Sequence, residues 1–202
     1  MRKMLFATAV ALAFAASVSA QQKPSVTGET GGATAPGKGS AARVLTITAS
    51  VEAVDAANRT VTLKGPRGNL STIPVGPEVK NFDQIKVGDF VAVRYFQALA
   101  LELKKGGSGI RERSERSNTA SAKPGEQPAA GAARQVTVIA DVVAVNEKSR
   151  TVSLRGPKQT VELRLKDPKQ VKLVKVGDQV EATYTEAVAI SVEPAPAPKK
   201  KQ

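Results

Sequence analysis

The segment NRTVTLKGP, residues 58–66, recurs as SRTVSLRGP at residues 149–157, and this repetition decides the fold that the sequence predicts. It lies in a longer match between ASVEAVDAANRTVTLKGP and ADVVAVNEKSRTVSLRGP. A second match downstream joins IKVGDFVAVRYFQALAL to VKVGDQVEATYTEAVAI. The offset between the matched blocks falls from 91 to 89 residues, so the length change lies near the Gly-Pro turn. The chain therefore contains one unit twice, at 44–105 and at 135–194.

Each copy has the pattern of short β-strands. Apolar and polar side chains alternate from Thr46 to Ala53, which is the period of a half-buried strand. The alternation slips at Val54, and again at Val145 in the second copy, which indicates a β-bulge. Gly-Pro and Val-Gly-Asp sequences mark turns between five short strands per copy. We expect an all-β protein with two similar small five-stranded OB-like barrels, since closure removes exposed strand edges; a small open sandwich is the alternative.

Two segments show no hydrophobic period. Residues 21–43 are rich in Gly, Ala, Thr and Pro, and residues 106–134 are similar but contain a charged patch. Such compositions bury too little apolar surface to offset the entropy of ordering, so both are predicted to be disordered linkers. Residues 195–202 alternate Pro and Ala and then end in Lys and Gln, which predicts an extended Pro/Lys tail. We therefore expect two beads that fold independently on a flexible string.

The first twenty residues, MRKMLFATAVALAFAASVSA, have the pattern of a secretory signal peptide. A basic start precedes an apolar run, and small residues follow at 18–20. The run is too short to span a bilayer comfortably. Cleavage is expected after Ala20 and a periplasmic location is predicted, with no transmembrane segment after cleavage.

Composition excludes several kinds of chemistry. The chain has no Cys, His or Trp, and its two Met residues, Met1 and Met4, lie in the predicted signal. Thiolate, imidazole and thioether ligands for copper, zinc or haem iron are thus missing from the mature chain. So are the partners for Ser–His or Cys–His catalysis. The sequence shows no paired carboxylates and no phosphate loop. We therefore expect that the chain is not an enzyme, has no catalytic residues and binds no metal or cofactor.

Charge and aromatic content together favour an anionic envelope component over nucleic acid as the partner. The chain has a net charge of +12, most of it outside the two copies. The second copy has one aromatic residue, Tyr184, whereas barrels that bind nucleic acid stack bases on several aromatics. Residues 148–175 nevertheless hold nine basic residues against two acidic ones. This segregation predicts either a solvated strand or an anion-binding surface.

The candidate anionic-surface residues lie on both sides of one predicted strand. In VELRLK, Arg164 and Lys166 alternate with apolar residues and therefore share a solvent face. Arg155 and Lys158 flank the preceding turn. Anionic lipids and envelope polymers are the expected ligands for such a surface.

Two further residues recur in both copies. Arg59 and Arg150 precede a strand, where they are interpreted as turn residues, with anion binding as the alternative. Asp89 and Asp178 occupy the Val-Gly-Asp turn, where an Asp side chain bonds its own nearby backbone.

The order V-D/N-x-x-x-R-T-V-x-L-x-G, then V-G-D-x-V, then Y-x-x-A resembles tandem OB-like domains of uncharacterised bacterial secreted proteins. It is also loosely similar to the periplasmic copper and silver efflux chaperone, a small five-stranded barrel. That resemblance implies the barrel. The chaperone family binds metal through His, Met and Trp, which the mature chain lacks.

We therefore predict a secreted periplasmic binding or interaction module without enzymatic activity. Its expected partner is an anionic envelope component or another periplasmic protein. An accessory role in periplasmic metal handling is the alternative, implied by the fold resemblance alone.

Overall fold

The structure is a computed structural model that describes residues 23–195. These residues form an all-β, open antiparallel sheet. The ten strands are β1 (Ser25–Ala35), β2 (Lys38–Asp55), β3 (Thr60–Lys64), β4 (Leu70–Pro74), β5 (Phe90–Lys104), β6 (Glu112–Ser121), β7 (Ala129–Asn146), β8 (Thr151–Arg155), β9 (Thr160–Arg164) and β10 (Gln179–Glu193). A 3₁₀ turn spans Phe82–Gln84, and one short helix, α1, spans Pro168–Val171. The predicted signal peptide and the tail after residue 195 lie outside the described residues.

The sheet follows the order β4-β3-β2-β5-β10-β7-β8-β9, with β1 added to β2 and β6 added to β7. The long strand β2 therefore has β1 beside its first part and β3 beside its last part. Strand β7 is bordered by β6 and β8 in the same way. Within residues 23–195, no helix is long and apolar enough to cross a membrane.

The two halves contain corresponding elements, and the predicted strand and bulge positions agree with them. The predicted second strand is β3. Register shifts between Val51 and Ala53 and between Val142 and Ala144 mark the two bulges. A bulge lets a strand bend and increases its local twist, and both bulges lie where the long strands β2 and β7 pair with β3 and β8.

Strands β5 and β10 join the halves through fifteen antiparallel residue pairs. The sequence repeat relates these strands by an offset of 89 residues. Gln97 lies opposite Glu186, which is its own counterpart at that offset. The pairing is thus symmetric about this point, and each half meets the other through the same strand.

The hydrophobic residues form two cores, and each core uses the other half's strand. The first core contains Val51, Val61 and Phe82, and also Val192 from β10. In the second core, Leu101 and Leu103 of β5 pack against buried residues that include Val142, Val152, Leu154 and Val171. Each half therefore contributes apolar side chains to the core of the other half.

The hairpin turns also form hydrogen bonds between the two halves. The β1–β2 turn contacts α1 of the second half, because Gln170 donates to the carbonyl of Ala35 and accepts from the amide of Gly37, at 2.8 and 3.0 Å. Asn81 makes the corresponding contacts with the β6–β7 turn, donating to the carbonyls of Lys123 and Glu126 at 2.7 and 2.9 Å.

The two segments predicted as disordered linkers contain strands. Residues 25–35 form β1 and residues 112–121 form β6, while 38–43 and 129–134 extend β2 and β7. Their side chains are mostly exposed, so these strands are stabilised by backbone pairing and show no burial period. The linker prediction relied on missing apolar periodicity, and it is wrong for these strands.

The closed five-stranded barrels are not seen among the described residues. Two of the expected strands, one around Val91 and one around Leu101, are a single fifteen-residue strand, β5. One edge of β5 pairs with β2 and the other pairs with β10. The edge that would close a barrel within one copy is thus occupied by the other copy, and the sheet stays open.

Candidate functional site

The four basic residues predicted as an anionic-surface site lie along the β8–β9 hairpin. Arg155 ends β8 and Lys158 lies in the following turn, while Arg164 ends β9 and Lys166 lies two residues beyond it. Arg164 is opposite Thr151 in the ladder, so the two pairs lie about 13 Å apart along the strands. All four are exposed. The structure brings them together as two pairs at opposite ends of one hairpin.

Arg164 and Lys166 have no ion-pair partner among residues 23–195. The nearest acidic residue in sequence, Asp167, caps α1 and accepts a hydrogen bond from the amide of Lys169 at 2.8 Å. The positive charge of this pair is therefore directed at solvent. Strand β9 is an end of the sheet path, so the pair is also accessible from the side.

Behind β9 lies a pocket of about 420 Å³. Its floor is formed by the middle and end of β5, and its walls by β8, β9 and the β1–β2 turn. The lining is mainly aliphatic: Leu99, Leu101, Leu103, Val152, Leu154, Leu163, Leu165, Val174 and Val180. Its charged lining residues are Lys38, Arg164, Lys166 and Asp167, whose carboxylate accepts from the amide of Lys169. Three cations and one carboxylate therefore border an apolar pocket. Sequence reasoning found the cations but missed the pocket, because β5 comes from the other copy.

A row of polar side chains crosses the sheet between the two cores. Gln97 donates to the hydroxyls of Tyr95 and Tyr184, both at 2.8 Å, and accepts from Arg43 at 2.6 Å. Tyr184 in turn donates to Glu186 at 3.0 Å. The hydrogen bond to Glu186 is the main cause that raises the pKa of Tyr184, and partial burial is a smaller one. These groups bond one another at the symmetric point of the sheet, so we assign them to joining the halves.

The repeated arginines have structural contacts. Both adopt left-handed backbone conformations, with φ of 49° at Arg59 and 58° at Arg150. The Arg59 guanidinium donates to the carbonyls of Val75, Gly76 and Val79 and lies 4.7 Å from the centre of the Phe82 ring. Arg150 donates to the carbonyl of Lys166 at 3.1 Å. These contacts agree with the interpretation as turn residues and leave no free guanidinium fork at Arg59 for an anion.

The repeated aspartates organise the Val-Gly-Asp turns, as the sequence predicts. Asp89 accepts from the amide of Lys86 and Asp178 from that of Lys175, at 2.9 and 2.8 Å. Each also holds the chain that leaves the other half: Asp89 accepts from the amide of Ala195, at 3.1 Å. Asp178 bonds the segment after β5. Burial raises the pKa of Asp178, but the hydrogen bonds from the Lys105 ammonium and from nearby amides outweigh it and leave the pKa below its ordinary value.

Among residues 23–195, no three His, Cys, Asp or Glu side chains come together to hold a metal ion. Comparisons of the chain with protein-family models, with curated proteins and with solved structures gave no match. The β8–β9 hairpin and the pocket behind it are therefore the candidate functional site.

Proposed function

We propose that the chain is a secreted, non-enzymatic binding module, built from one duplicated unit, that attaches to anionic surfaces of the cell envelope through the second half. The observation that supports this is the pair Arg164 and Lys166, exposed at the end of β9 without an ion-pair partner in the described part of the chain. Arg155 and Lys158 extend the same charge along the hairpin.

The first half offers a comparison. Its equivalent hairpin, β3–β4, ends at Pro74 where β9 ends at Arg164, and Gly76 follows where Lys166 follows. Lys64 and Arg67 at its turn correspond to Arg155 and Lys158. At the Pro74 end of its hairpin the first half has Arg59, whose guanidinium is bonded to carbonyls. The second half has exposed basic residues at both ends of its hairpin, which favours it as the contact surface.

Sedimentation with lipid vesicles tests this proposal. A basic residue near an anionic membrane contributes about 1 kcal/mol, so replacing Arg164 and Lys166 by Glu should weaken association by roughly thirtyfold or more. Residues 21–202 should sediment with anionic vesicles at low salt and be released as salt rises, because salt shortens the Debye length and screens the attraction.

The matched control is the double charge reversal of Lys64 and Arg67 in the first half, which changes net charge equally. It should weaken association less. Equal losses from both variants, or equal recovery with neutral and anionic vesicles, would reduce the basic hairpin to a source of net charge and refute the proposal.

A further inference from the structure

We propose that the pocket behind β9 binds the aliphatic chain of a single-chain anionic amphiphile, such as a fatty acid, with its head group at Arg164 and Lys166. This inference rests on the proposed function and gives the hairpin a specific ligand class. It follows from comparing the two halves position by position.

The halves can be aligned through shared hydrogen bonds. The amide of Val75 donates to the carbonyl of Arg59, and the amide of Leu165 donates to the carbonyl of Arg150, both at 2.8 Å. Val75 and Leu165 are thus counterparts, and β4 corresponds to β9.

The same approach aligns the turns that close the two cores. The amide of Ile85 donates to the carbonyl of Phe82 at 3.0 Å, and that of Val174 donates to the carbonyl of Val171 at 3.2 Å. The residue before each acceptor is the one that holds the opposite hairpin tip. Phe82 in the first half therefore corresponds to Val171 in the second.

This difference leaves the second core with less side-chain volume near the pocket. Both side chains are buried, with exposed fractions of 4% for Phe82 and 1% for Val171. A phenyl ring occupies far more space than an isopropyl group, so the first core is filled at a place where the second core has less side-chain volume. Val171 does not itself line the open volume of about 420 Å³, but it belongs to the core cluster against which the lining residues Leu165 and Val174 pack.

The polar side of the pocket differs in the same direction. Where the first half has Pro74 and Gly76, the second has Arg164 and Lys166, which line the pocket as well as facing solvent. Long basic side chains lay their methylene stems along apolar surface and keep the charge in water. The second half thus combines an unfilled aliphatic interior with cations at the same wall.

This combination specifies the ligand. The interior offers aliphatic contacts and few polar partners, so it suits a hydrocarbon and would penalise a sugar or a nucleotide, whose polar groups would lose their hydrogen bonds to water. Its volume falls in the range of small-molecule sites. The cations at the wall then favour a negative head group over a neutral or positive one.

Calorimetric titration of residues 21–202 with dodecanoate, below the concentration at which it forms micelles, tests the inference. We expect saturable binding with one site per chain. Decanoate should bind roughly fifteenfold more weakly, because each buried methylene contributes about 0.8 kcal/mol. Dodecanol, which lacks the charge, should bind up to about fivefold more weakly than dodecanoate.

The decisive variant is Val171→Phe, which places in the second half the residue that the first half already has. It should abolish dodecanoate binding and leave the association with anionic vesicles unchanged. The matched control is Val176→Phe, since Val176 is 65% exposed and belongs neither to the pocket lining nor to the second core; it should bind normally. If Val171→Phe disturbs the amide spectrum, Leu99→Phe narrows the pocket from the β5 side and should produce the same loss.

The outcomes separate the two proposals. Dodecanoate binding that survives both pocket variants, or no saturable binding by the unaltered chain, overturns the pocket inference whatever the vesicles show. Vesicle association that fails while dodecanoate binds to the pocket overturns the surface proposal alone and supports the pocket.

Discussion

Separating the two halves should unfold both of them. If residues 23–106 and 107–195 are expressed alone, each loses the other's central strand and the apolar side chains that this strand contributes. The structure therefore predicts that the two halves depend on each other to fold. The sequence repeat by itself suggests two independent beads instead.

The size of the effect follows from the apolar side chains that each half receives from the other. A half of this length is expected to have about 4–13 kcal/mol of unfolding free energy. Removing Val192, which is 5% exposed in the first core, forfeits about 1.5–3 kcal/mol. Leu101 and Leu103, partly buried against the second core, forfeit about 1–1.5 kcal/mol each. The first half thus loses about 1.5–3 kcal/mol of apolar burial and the second half about 2–3 kcal/mol. Each half also loses the fifteen-pair ladder, so its total loss approaches the lower part of that range.

Amide spectra and thermal melting of each half, alone and mixed, provide the assay. We expect poorly dispersed spectra from each half and recovery of native-like dispersion on mixing in equal amounts. A half that folds alone only as a dimer, with β5 paired to a second β5, would also agree with the symmetric ladder. A monomeric half with a dispersed spectrum and a cooperative melt would refute the reasoning.

Three further outcomes are expected from point variants, measured as unfolding free energy in urea. Arg59→Ala should cost about 2–4 kcal/mol, because three buried or partly buried carbonyls lose a charged donor, whereas Arg150→Ala should cost about 1 kcal/mol; equal costs would contradict this. Asp178→Ala should cost about 0.5–1 kcal/mol more than Asp89→Ala, because it also removes the ion pair with Lys105, whose side chain is 56% exposed; a larger cost at Asp89 would argue against the ion pair. Since the pKa of Asp178 is lowered in the fold, its contribution should be complete above about pH 4 and be lost as pH falls through the folded pKa; an Asp178→Asn variant that shows the same acid loss would contradict this.

The sequence predicted the elements that have a burial period. Strand β3, the bulges and the Val-Gly-Asp turns follow from alternation and turn chemistry, which act over a few residues. The strands β1 and β6 could not be found in this way, because their exposed side chains have no apolar face. A local signal was nonetheless present: Pro36-Gly37 and Pro124-Gly125 form the two hairpin turns, and both glycines have positive φ, 70° and 85°.

The pairing of β5 with β10 could not be predicted from local sequence patterns, for another reason. Whether β5 closes onto its own copy or pairs with β10 depends on contacts between residues almost ninety positions apart, which alternation does not encode. The candidate site shows the same division. Arg164 and Lys166 were predicted from their alternation with apolar neighbours. The pocket was not, because its floor at Leu101 and Leu103 belongs to the other copy.

The reciprocal capping of the two Val-Gly-Asp turns has a topological consequence. Asp178 holds the amide of Gly106 as the chain leaves β5, and Asp89 holds the amide of Ala195 as the chain leaves β10. Residues 107–111 then suffice to reach β6, and the equivalent step from Ala195 would lead to β1. Among the described residues, the step from β5 to β6 and a step from β10 to β1 would therefore be equivalent. A circular permutant that joins residue 195 to residue 25 through a copy of residues 107–111, and that begins at residue 112, would reverse the order of the halves and keep every strand pairing of the sheet.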